Sequence, residues 1–354
     1  MRVLLDAYWW HSGPTSLQRA VRKIVTTWHE EYPADEITIL VRKPKRDQIR
    51  HATPDGVDVV ETRVWPQSLC SAIVAPLQGQ IKSSDFIITQ NFAPLFGRSG
   101  VLIHDLLFET NPEWFTRSER IYFAPMKRLA KRARWIYATT ETEGRRIAHY
   151  TKSSKKVCVV GMGVGDELDS VVSVPHSSLI PKTFLLCVGR INIRKNLEQT
   201  IRSVSATGVL SPEFPMVIVG ETSGRSEHLG ESIQQMILDR SLIFLGFVPD
   251  DQLRWLYENT RLLIFLSLGE GFGLPPVEAA RMGTEILVSD LDIFRETLGS
   301  NAHFVNPNNS KEIQLKVSSI LERLDLKNSN TSAFDRYNWQ HVVGIMRETI
   351  NLQE

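Results

Sequence analysis

Short apolar runs alternate along the chain with longer segments in which apolar residues recur every three or four positions. Residues 3–5, 37–41 and 101–103 are runs of the first kind, and residues 16–31 form a segment of the second kind. Such apolar runs predict strands buried on both faces, and the longer spacing predicts amphipathic helices. The regular alternation of the two favours an α/β fold with doubly wound parallel sheets.

The chain of 354 residues is long enough for two such domains. We expect one Rossmann-like domain over residues 1–165 and a second over residues 183–333. Residues 166–182 show little periodicity and are expected to form the linker between them. Residues 334–354 have the apolar spacing of a final amphipathic helix.

Composition narrows the class of protein. A hydrophobic content of 42% and a charged content of 23% are typical of globular chains. The net charge of +1 does not indicate a nucleic-acid partner. The charge is uneven, however, since residues 1–170 hold 24 Lys and Arg against 19 Asp and Glu, and the remaining 17 and 21 leave the second half acidic. The basic excess therefore lies in the N-terminal half.

The cysteines and the apolar runs bear on the compartment. Cys70, Cys158 and Cys187 are odd in number and widely spaced, which favours reduced thiols over a disulfide or a zinc site. No apolar stretch approaches the length of a membrane span, and residues 1–6 resemble a first strand more than a signal peptide. We therefore expect a cytoplasmic protein.

Residues 262–289 carry the strongest local signal for chemistry. An apolar strand is followed by three glycines within five residues, and then by two prolines that suit the first turn of a helix. A strand, a glycine loop and a helix N-terminus direct backbone N–H groups and a positive dipole end toward an anion. Glu270 and Glu278 flank this loop, and since carboxylates repel phosphate we expect them to bind hydroxyls. A sugar nucleotide offers both groups.

This segment resembles a known family. Glu270 and Glu278 are separated by seven residues that include Gly271, Phe272, Gly273, Leu274 and Pro275. The pattern is similar to the donor signature of the retaining glycosyltransferases of family 4, which have the two-domain GT-B fold with a cleft between the domains. The resemblance implies that residues 1–165 bind the acceptor and residues 183–333 the nucleotide sugar. It also implies that the helix at residues 334–354 returns to the first domain. The resemblance implies that Glu270 contacts the transferred sugar, that the amides of residues 271–274 hold the diphosphate, and that Glu278 binds the ribose hydroxyls.

The start of the second domain extends the resemblance. A buried strand runs into Gly189 and Arg190, and Lys195 follows near the expected start of a helix. The family has a similar Gly-Arg and Lys, which implies that both cations reach the donor diphosphate. No Asp-x-Asp motif suggests a metal, so we expect protein cations to balance the leaving group without a cofactor. Gly220 and the backbone of Phe247 and Val248, which follow the next two strands, complete the expected donor site.

In the first domain the resemblance is looser. The loop before the first helix contains Trp10, His11 and Gly13, and the family has a glycine loop at this place near the donor phosphate and the acceptor. His104 and Asp105 end a predicted strand, where ligands of open α/β sheets bind. The resemblance implies that His104 lies near the transferred sugar. We assign Trp10, His11, His104 and Asp105 to the acceptor side, and His104, Arg190, Lys195 and Glu270 to catalysis.

Residues 117–135 are predicted to form one helix rich in Lys and Arg. A solvated helix face would explain these charges. Alternatively, clustered basic residues on an amphipathic helix bind anionic membranes, and acceptors in the family are often lipid-linked sugars. The helix would then hold the protein at the inner face of the membrane.

These observations predict a metal-independent retaining hexosyltransferase that acts on a glycan or lipid-linked glycan. The resemblance to bacterial O-antigen and capsule mannosyltransferases makes GDP-mannose the first choice of donor. UDP-sugars and dTDP-rhamnose stay open as donors. A nucleotide-sugar 2-epimerase, a non-catalytic nucleotide-sugar-binding protein and a purely structural interaction protein stay open as other functions.

Overall fold

The computed structural model describes residues 1–44, 51–153, 156–221, 230–323 and 331–352. The chain forms two compact units. Unit 1 comprises Met1–Thr110, Arg117–Gly163 and Tyr337–Glu354, and unit 2 comprises Asn111–Thr116 and Val164–Arg336. The main part of the second unit begins at Val164, so the expected linker, residues 166–182, lies inside this unit. The end of the chain belongs to the first unit.

Unit 1 is built on a parallel sheet of seven strands within the described ranges, in the order β3-β2-β1-β4-β5-β6-β7. The strands are β1 (Arg2–Asp6), β2 (Glu36–Arg42), β3 (Asp58–Thr62), β4 (Phe86–Gln90), β5 (Ser99–Ile103), β6 (Trp135–Ala138) and β7 (Val157–Val159). The central strands β4 and β5 are buried along their whole length, as expected for a sheet covered on both faces. The order reverses between β1 and β4, and ligands of such sheets bind beyond the carboxyl ends of the strands at this point.

The helices of unit 1 follow the strands in sequence. They are α1 (Thr15–Glu31), α2 (Gln67–Leu69), α3 (Ala75–Ile81), α4 (Leu107–Thr110), α5 (Arg117–Phe123), α6 (Met126–Ala130) and α7 (Glu141–Thr151). A π-helical turn, Cys70–Val74, joins α2 to α3 without a break. The C-terminal helix, Trp339–Asn351, buries its apolar face in this unit and contacts α1.

Unit 2 has a parallel sheet of six strands in the part of the chain that is described, in the order β10-β9-β8-β11-β12-β13. Its strands are β8 (Leu185–Val188), β9 (Met216–Val219), β10 (Leu242–Gly246), β11 (Leu262–Phe265), β12 (Ile286–Ser289) and β13 (His303–Val305). Its helices are α8 (Asp166–Ser170), α9 (Leu197–Ser205), α10 (Glu231–Leu238), α11 (Asp250–Asn259), α12 (Leu274–Arg281), α13 (Asp292–Leu298) and α14 (Ser310–Leu321). One apolar core joins α9 and α14 to the sheet. The α/β architecture with two doubly wound sheets is confirmed.

The prediction of one helix over residues 117–135 is wrong. Two short helices, α5 and α6, are separated at Ala124 and Pro125. Proline lacks the N–H group that would continue the first helix, and the carbonyl of Pro125 accepts from Leu129 to begin the second. Trp135 belongs to β6, where it pairs with Gly100.

Two further predictions of local structure need correction. Residues 166–182 are not wholly irregular, since Asp166–Ser170 is a helix. Arg254 donates to the carbonyls of Leu168, Asp169 and Val171 at 3.0–3.1 Å, so side chains remote in sequence hold this segment in place. The helix expected to start near Lys195 starts at Leu197, because Asn196 has a left-handed backbone with φ of 55° that ends a preceding 3₁₀ turn.

Residues 222–229 lie outside the described residues, and the helix that follows them is Glu231–Leu238. Within the ranges given above, none of the helices is both long enough and apolar enough to cross a bilayer.

Candidate active site

The turn between β11 and α12 has the geometry that its glycines and prolines predict. Gly273 precedes the helix with φ of 89°, a region that favours glycine. A Cβ atom at this position would meet the Phe294 ring at 2.5 Å, so the close approach of α13 also requires glycine. Pro275 and Pro276 occupy the first turn and carry no N–H group. The amides that can face an anion at this helix end are therefore those of Gly273 and Leu274.

Glu270 lies in this loop, almost fully buried, between two cations. Lys195 Nζ is 2.7 Å from its Oε1 atom, and Arg194 Nη1 is 2.6 Å from its Oε2 atom. The same Arg194 nitrogen donates to the carbonyl of Gly269 at 2.8 Å, and the Arg194 carbonyl accepts from the amide of Leu268 at 2.8 Å. The turn before α9 and the loop after β11 are thus held together through one residue.

Burial and the charges of this cluster shift the pKa values of both Glu270 and Lys195. Burial alone would raise the pKa of Glu270, but Arg194 and Lys195 outweigh it and hold the pKa well below the usual range. Burial lowers the pKa of Lys195 to about 8; Glu270 opposes this shift, and Arg194 and Arg190 reinforce it. Lys195 therefore loses its proton at a lower pH than an ordinary lysine does. An additional anion nearby would raise the pKa of Lys195.

Arg190 and Lys195 line one pocket at the carboxyl ends of β8 and β11, together with Gly189, Phe265 and Ser267. The Lys195 ammonium also lies 4.2 Å from the centroid of the Phe265 ring. Within unit 2 the two predicted diphosphate ligands therefore reach the same pocket. Gly189 has φ of 144°, and a Cβ atom there would meet Lys195 Cε at 3.1 Å. A side chain at position 189 would displace the lysine.

Gly220, at the end of β9, supports the same edge of the sheet. Its φ is 138°, and a Cβ atom would lie 2.0 Å from the carbonyl oxygen of Gly189. Its amide donates to Gly246 at 2.8 Å, and Phe247 and Val248 follow directly after β10. Val248 is buried, whereas the Phe247 side chain is exposed. These residues form the end of the sheet on the other side of β8.

Glu278 is half-buried on α12 and accepts a hydrogen bond from the hydroxyl of Tyr257 at 2.8 Å. Tyr257 lies on α11 and is fully buried. This bond fixes one carboxylate oxygen of Glu278. The second predicted hydroxyl ligand is thus oriented by a residue for which the sequence offers no separate signal.

His104 follows β5 in unit 1 and hydrogen-bonds to another strand end. Its Nε2 atom is 3.1 Å from Oε1 of Gln90, the last residue of β4. Burial lowers the pKa of His104 to about 4, against a smaller opposite effect of Asp105. The imidazole is therefore neutral at physiological pH, which suits hydrogen bonding to a sugar hydroxyl better than balancing a phosphate charge.

Asp105 and a buried glutamate shape the segment after His104. Asp105 accepts from the amide of Leu107 at 3.1 Å, a local turn contact. Glu143, in the first turn of α7, accepts from the amide of Leu106 at 2.9 Å and pairs with Arg146. Burial and the nearby Asp105 raise the pKa of Glu143 to about 8. Asp105 therefore has a structural role in this turn.

The loop between β1 and α1 is packed tightly. Trp10 is almost fully buried, and its indole N–H donates to the carbonyl of His51 at 3.3 Å. His11 Nδ1 accepts from the His51 amide at 3.1 Å. Gly13 has φ of 125°, and a Cβ atom there would meet the Trp9 ring at 2.1 Å. Trp10 has little surface left for an acceptor, and packing against Trp9 is a sufficient reason for the glycine.

Sequence reasoning missed four residues that hold the predicted ones in place. They are Gln90, Glu143, Arg194 and Tyr257. Arg194 is adjacent to Lys195, and a second cation beside a predicted phosphate ligand is a signal that could have been used. The other three lie far from their partners in sequence, and no local pattern marks them.

Comparison with known proteins finds a family model that matches part of the chain. Residues 176–332 match the family of glycosyl transferases group 1. This range contains β8–β13 and every predicted donor residue of unit 2.

Three relatives are mannosyltransferases by name. The serotype-specific mannosyltransferase WbdA of Escherichia coli is 31% identical over 62% of this chain, and the chain spans only 28% of the length of WbdA. The O-antigen chain mannosyltransferase RfbU of Salmonella typhimurium is 29% identical over 72% of this chain and 71% of its own length. The GDP-mannose:cellobiosyl-diphosphopolyprenol alpha-mannosyltransferase of Xanthomonas campestris is 25% identical over 90% and 89%.

Among solved structures, the sucrose-phosphate synthase of Thermosynechococcus elongatus is similar with a TM-score of 0.72 at 15% identity, over 99% of this chain and 98% of its own. At this identity the likeness shows the fold, which is that of the GT-B glycosyltransferases. Residues 176–332 are therefore similar to the glycosyl transferases group 1 family, and the chain has the GT-B fold.

Proposed function

We propose that this protein transfers a mannosyl group from GDP-mannose to a hydroxyl of a glycan or lipid-linked glycan, with retention of configuration and without a metal ion. The observation that carries the proposal is the buried cluster of Glu270 with Arg194 and Lys195, next to Arg190. Three positive charges against one negative charge suit a diphosphate that gains charge as its bond to the sugar breaks.

The relatives support the donor and the stereochemistry. All three named above are mannosyltransferases, and the name of the Xanthomonas relative includes both GDP-mannose and an α-linked product. The sugar of GDP-mannose is itself α-linked to the diphosphate. Transfer that gives an α-mannoside therefore retains the configuration, and the proposal extends this outcome to the present chain.

In the proposed reaction, the bond between C1 of mannose and the β-phosphate oxygen breaks, and GDP leaves. The acceptor oxygen forms its bond to C1 on the same face, and its proton passes to the departing phosphate. Arg190, Lys195 and the amides of Gly273 and Leu274 stabilise the charge on the diphosphate. Glu270 and Glu278 bind hydroxyls of the mannose and the ribose, and neutral His104 binds the mannose.

If the acceptor is lipid-linked, the transfer takes place at the cytoplasmic face of a membrane. The exposed basic side chains of α5 and α6 are proposed to contact the anionic headgroups there, as clustered Lys and Arg do near such surfaces.

Nucleotide binding is tested first by thermal unfolding with GDP, UDP and dTDP in parallel. A ligand that binds only the folded state raises the midpoint temperature of unfolding. The shift grows with the logarithm of the ratio of ligand concentration to Kd. GDP is expected to give the largest shift, and Lys195→Ala is expected to reduce it. A larger shift with UDP or dTDP would replace GDP-mannose by a UDP-sugar or dTDP-rhamnose and leave the enzyme class unchanged.

Transfer is tested with GDP-mannose and a polyprenyl-diphosphate-linked oligosaccharide, with NMR assignment of the anomer formed. An α-linked mannoside, formed equally with and without EDTA, is the expected result. A β-linked product or loss of activity in EDTA would contradict the retaining or the metal-independent part. Conversion of the sugar nucleotide to its 2-epimer without an acceptor would identify an epimerase, and binding without transfer or hydrolysis would identify a non-catalytic binding protein.

A further inference from the structure

Unit 1 exposes large apolar side chains at Trp65 and along the continuous helical segment from α2 to α3 that follows it. We call Trp65, Leu69, Ile73, Leu77 and Ile81 the apolar stripe; each is more than a third exposed, Trp65 by 69% and Ile81 by 71%. Residues 67–81 contain no Asp, Glu, Lys or Arg. A solvent-facing helix normally has a charged or polar outer face, so this one is unusual.

The π-helical turn Cys70–Val74 keeps the stripe on one side. Its members are four residues apart, and in an α-helix with 3.6 residues per turn such a row drifts around the axis. A π-helical turn contains more residues than an α-helical turn. A row of residues four apart therefore moves around the axis in the opposite sense there, which offsets its movement along α3. Local backbone structure thus aligns apolar residues that face solvent.

A second apolar feature borders the stripe. Leu95 and Phe96, which we call the loop tip, are both exposed. The amide of Leu95 donates to the carbonyl of Ala72 at 3.0 Å, which fixes the loop tip beside the π-helical turn. The stripe and the loop tip therefore form one apolar surface, of the kind that marks an interaction site.

Arg132 lies at the edge of this surface, and the basic residues Arg128 and Lys131 are near it in sequence. The carbonyl of Leu95 accepts from Arg132 Nη1 at 3.4 Å, and the Phe92 ring contacts Tyr122 of α5 with centroids 5.2 Å apart. Arg128, Lys131 and Arg132 are exposed, and we call them the basic edge. Lys127 is different, since Glu109 neutralises it at 2.7 Å.

We propose that the apolar stripe and the loop tip enter the headgroup region of an anionic phospholipid bilayer, with the basic edge on the lipid phosphates. Amphipathic surfaces that lie in a membrane interface combine Trp, Phe and Leu with Lys and Arg in this way. A contact between two copies of the chain would use the same patch on both and bring two basic edges together, which is unfavourable. The inference rests on the membrane contact of the proposed function and does not depend on the donor.

Co-sedimentation of the full chain with vesicles tests the proposal. One set of vesicles contains phosphatidylcholine alone, and the other also contains roughly a third phosphatidylglycerol, with no nucleotide sugar in either. The protein is expected to bind the anionic vesicles at least about tenfold more strongly. Since no donor is present, a failure here is distinguishable from a failure of the GDP-mannose assignment.

The variants separate the apolar surface from the basic edge. Leu77→Ser with Ile81→Ser, and Leu95→Ser with Phe96→Ser, are each expected to lower the partition constant about tenfold, because two apolar side chains no longer enter the bilayer. Arg128→Gln with Lys131→Gln is expected to remove the preference for phosphatidylglycerol. Leu238→Ser with Leu315→Ser is the matched control, since these residues of unit 2 are 76% and 73% exposed.

The control variant is expected to bind like the wild type, and circular dichroism is expected to show all variants folded. Stripe and loop-tip variants that bind as tightly as the wild type would overturn the proposal, as would a wild type that stays in the supernatant with both kinds of vesicle. A dimer that the stripe variants convert to a monomer in sedimentation velocity, with no vesicle binding, would assign this surface to a second copy instead.

Discussion

The ammonium group of Lys195 forms a 2.7 Å salt bridge with Glu270 and lies 4.2 Å from the centroid of the Phe265 ring. Glu270 is buried and Lys195 partly buried, and Arg194 on the second oxygen of Glu270 makes the surroundings net positive. A donor diphosphate would compete with Glu270 for Lys195 and leave the carboxylate free to accept from a sugar hydroxyl. The salt bridge thus pre-orients both groups before a donor binds.

Lys195→Ala is expected to lower kcat/KM for transfer by about a hundredfold to a thousandfold, since it removes a charge that acts on the leaving group. Steady-state kinetics with GDP-mannose measure this. Lys195→Arg is expected to recover part of the activity, because it keeps the charge but not the shape. Lys43→Ala is the control, as Lys43 forms a surface pair with Glu61 at 3.1 Å. Activity of Lys195→Ala equal to that of the control would remove Lys195 from the mechanism.

The pKa of Lys195 predicts an alkaline limit. Burial and the arginines lower it to about 8, so the free enzyme loses this charge as pH rises through 8. We expect kcat/KM to fall above about pH 8, and kcat to fall only at higher pH, since a bound diphosphate favours the charged lysine. In Lys195→Arg the limb should disappear, because arginine stays protonated. A pH profile with the same limb in both proteins would assign it to another group.

Arg194→Gln tests a positioning role. The variant loses the contacts to Oε2 of Glu270 and to the carbonyl of Gly269. We expect kcat to fall about tenfold to a hundredfold with little change in KM, because Glu270 is held less firmly. The pKa of Glu270 should rise once Lys195 is its remaining close cation, so a new acid limb should appear in the pH profile. Arg194→Lys is expected to restore part of kcat, and a pH profile of Arg194→Gln without a new acid limb would contradict the role.

Much of unit 2 followed from the sequence because its signals are local. The glycines and prolines around Gly273 determine both the turn and the start of α12, and the apolar runs mark the strands. The positions that could not be predicted depend on distant partners. Arg194 meets Gly269 across 75 residues, and Arg254 holds α8 across more than 80. Periodicity carries no information on such contacts.

In unit 1 the misread segment shows a second limit. The apolar residues of segment 117–135 recur at helical spacing, which predicts one helix. Pro125 interrupts it, because proline has no N–H group to donate, and it separates α5 from α6. The apolar stripe on α2–α3 was equally invisible as a surface, since an apolar spacing does not tell which face the fold will cover.

Gly220→Ala is expected to destabilise unit 2 and to abolish the GDP-induced thermal shift. The new Cβ atom would lie 2.0 Å from the carbonyl oxygen of Gly189, at a φ of 138° that alanine rarely adopts. We expect a cost of about 2–4 kcal/mol. Gly208→Ala separates the backbone strain of a positive φ from the steric collision of the new Cβ atom. Gly208 has φ of 75° but no atom within 4 Å of its Cβ position. This variant should cost only about 1 kcal/mol. Equal melting temperatures for the two variants would show that the close approach to Gly189 has no effect.

The C-terminal helix is attached to unit 1 through Arg347, whose Nε and Nη2 atoms contact the two oxygens of buried Asp35 at 2.8 and 3.2 Å. Burial would raise the pKa of Asp35, but bonds from Arg347, the Met1 amine and Trp28 outweigh it and lower the pKa to about 2. Arg347→Met leaves the carboxylate buried without this partner, which should cost about 1–3 kcal/mol. Hydrogen exchange in peptides from Trp339–Asn351 should accelerate accordingly.

The pH dependence of this contact has a definite sign. Because the native pKa of Asp35 is lowered, its contribution to stability is present above the unfolded value near 4 and is lost as pH falls toward 2. The difference between Arg347→Met and the wild type should therefore shrink in acid. Arg202→Met is the control, since Arg202 pairs with Glu198 on the surface of α9 at 2.7 Å, and it should cost less than about 0.5 kcal/mol. Equal protection of the C-terminal helix in both variants at neutral pH would show that the Asp35 contact does not hold it.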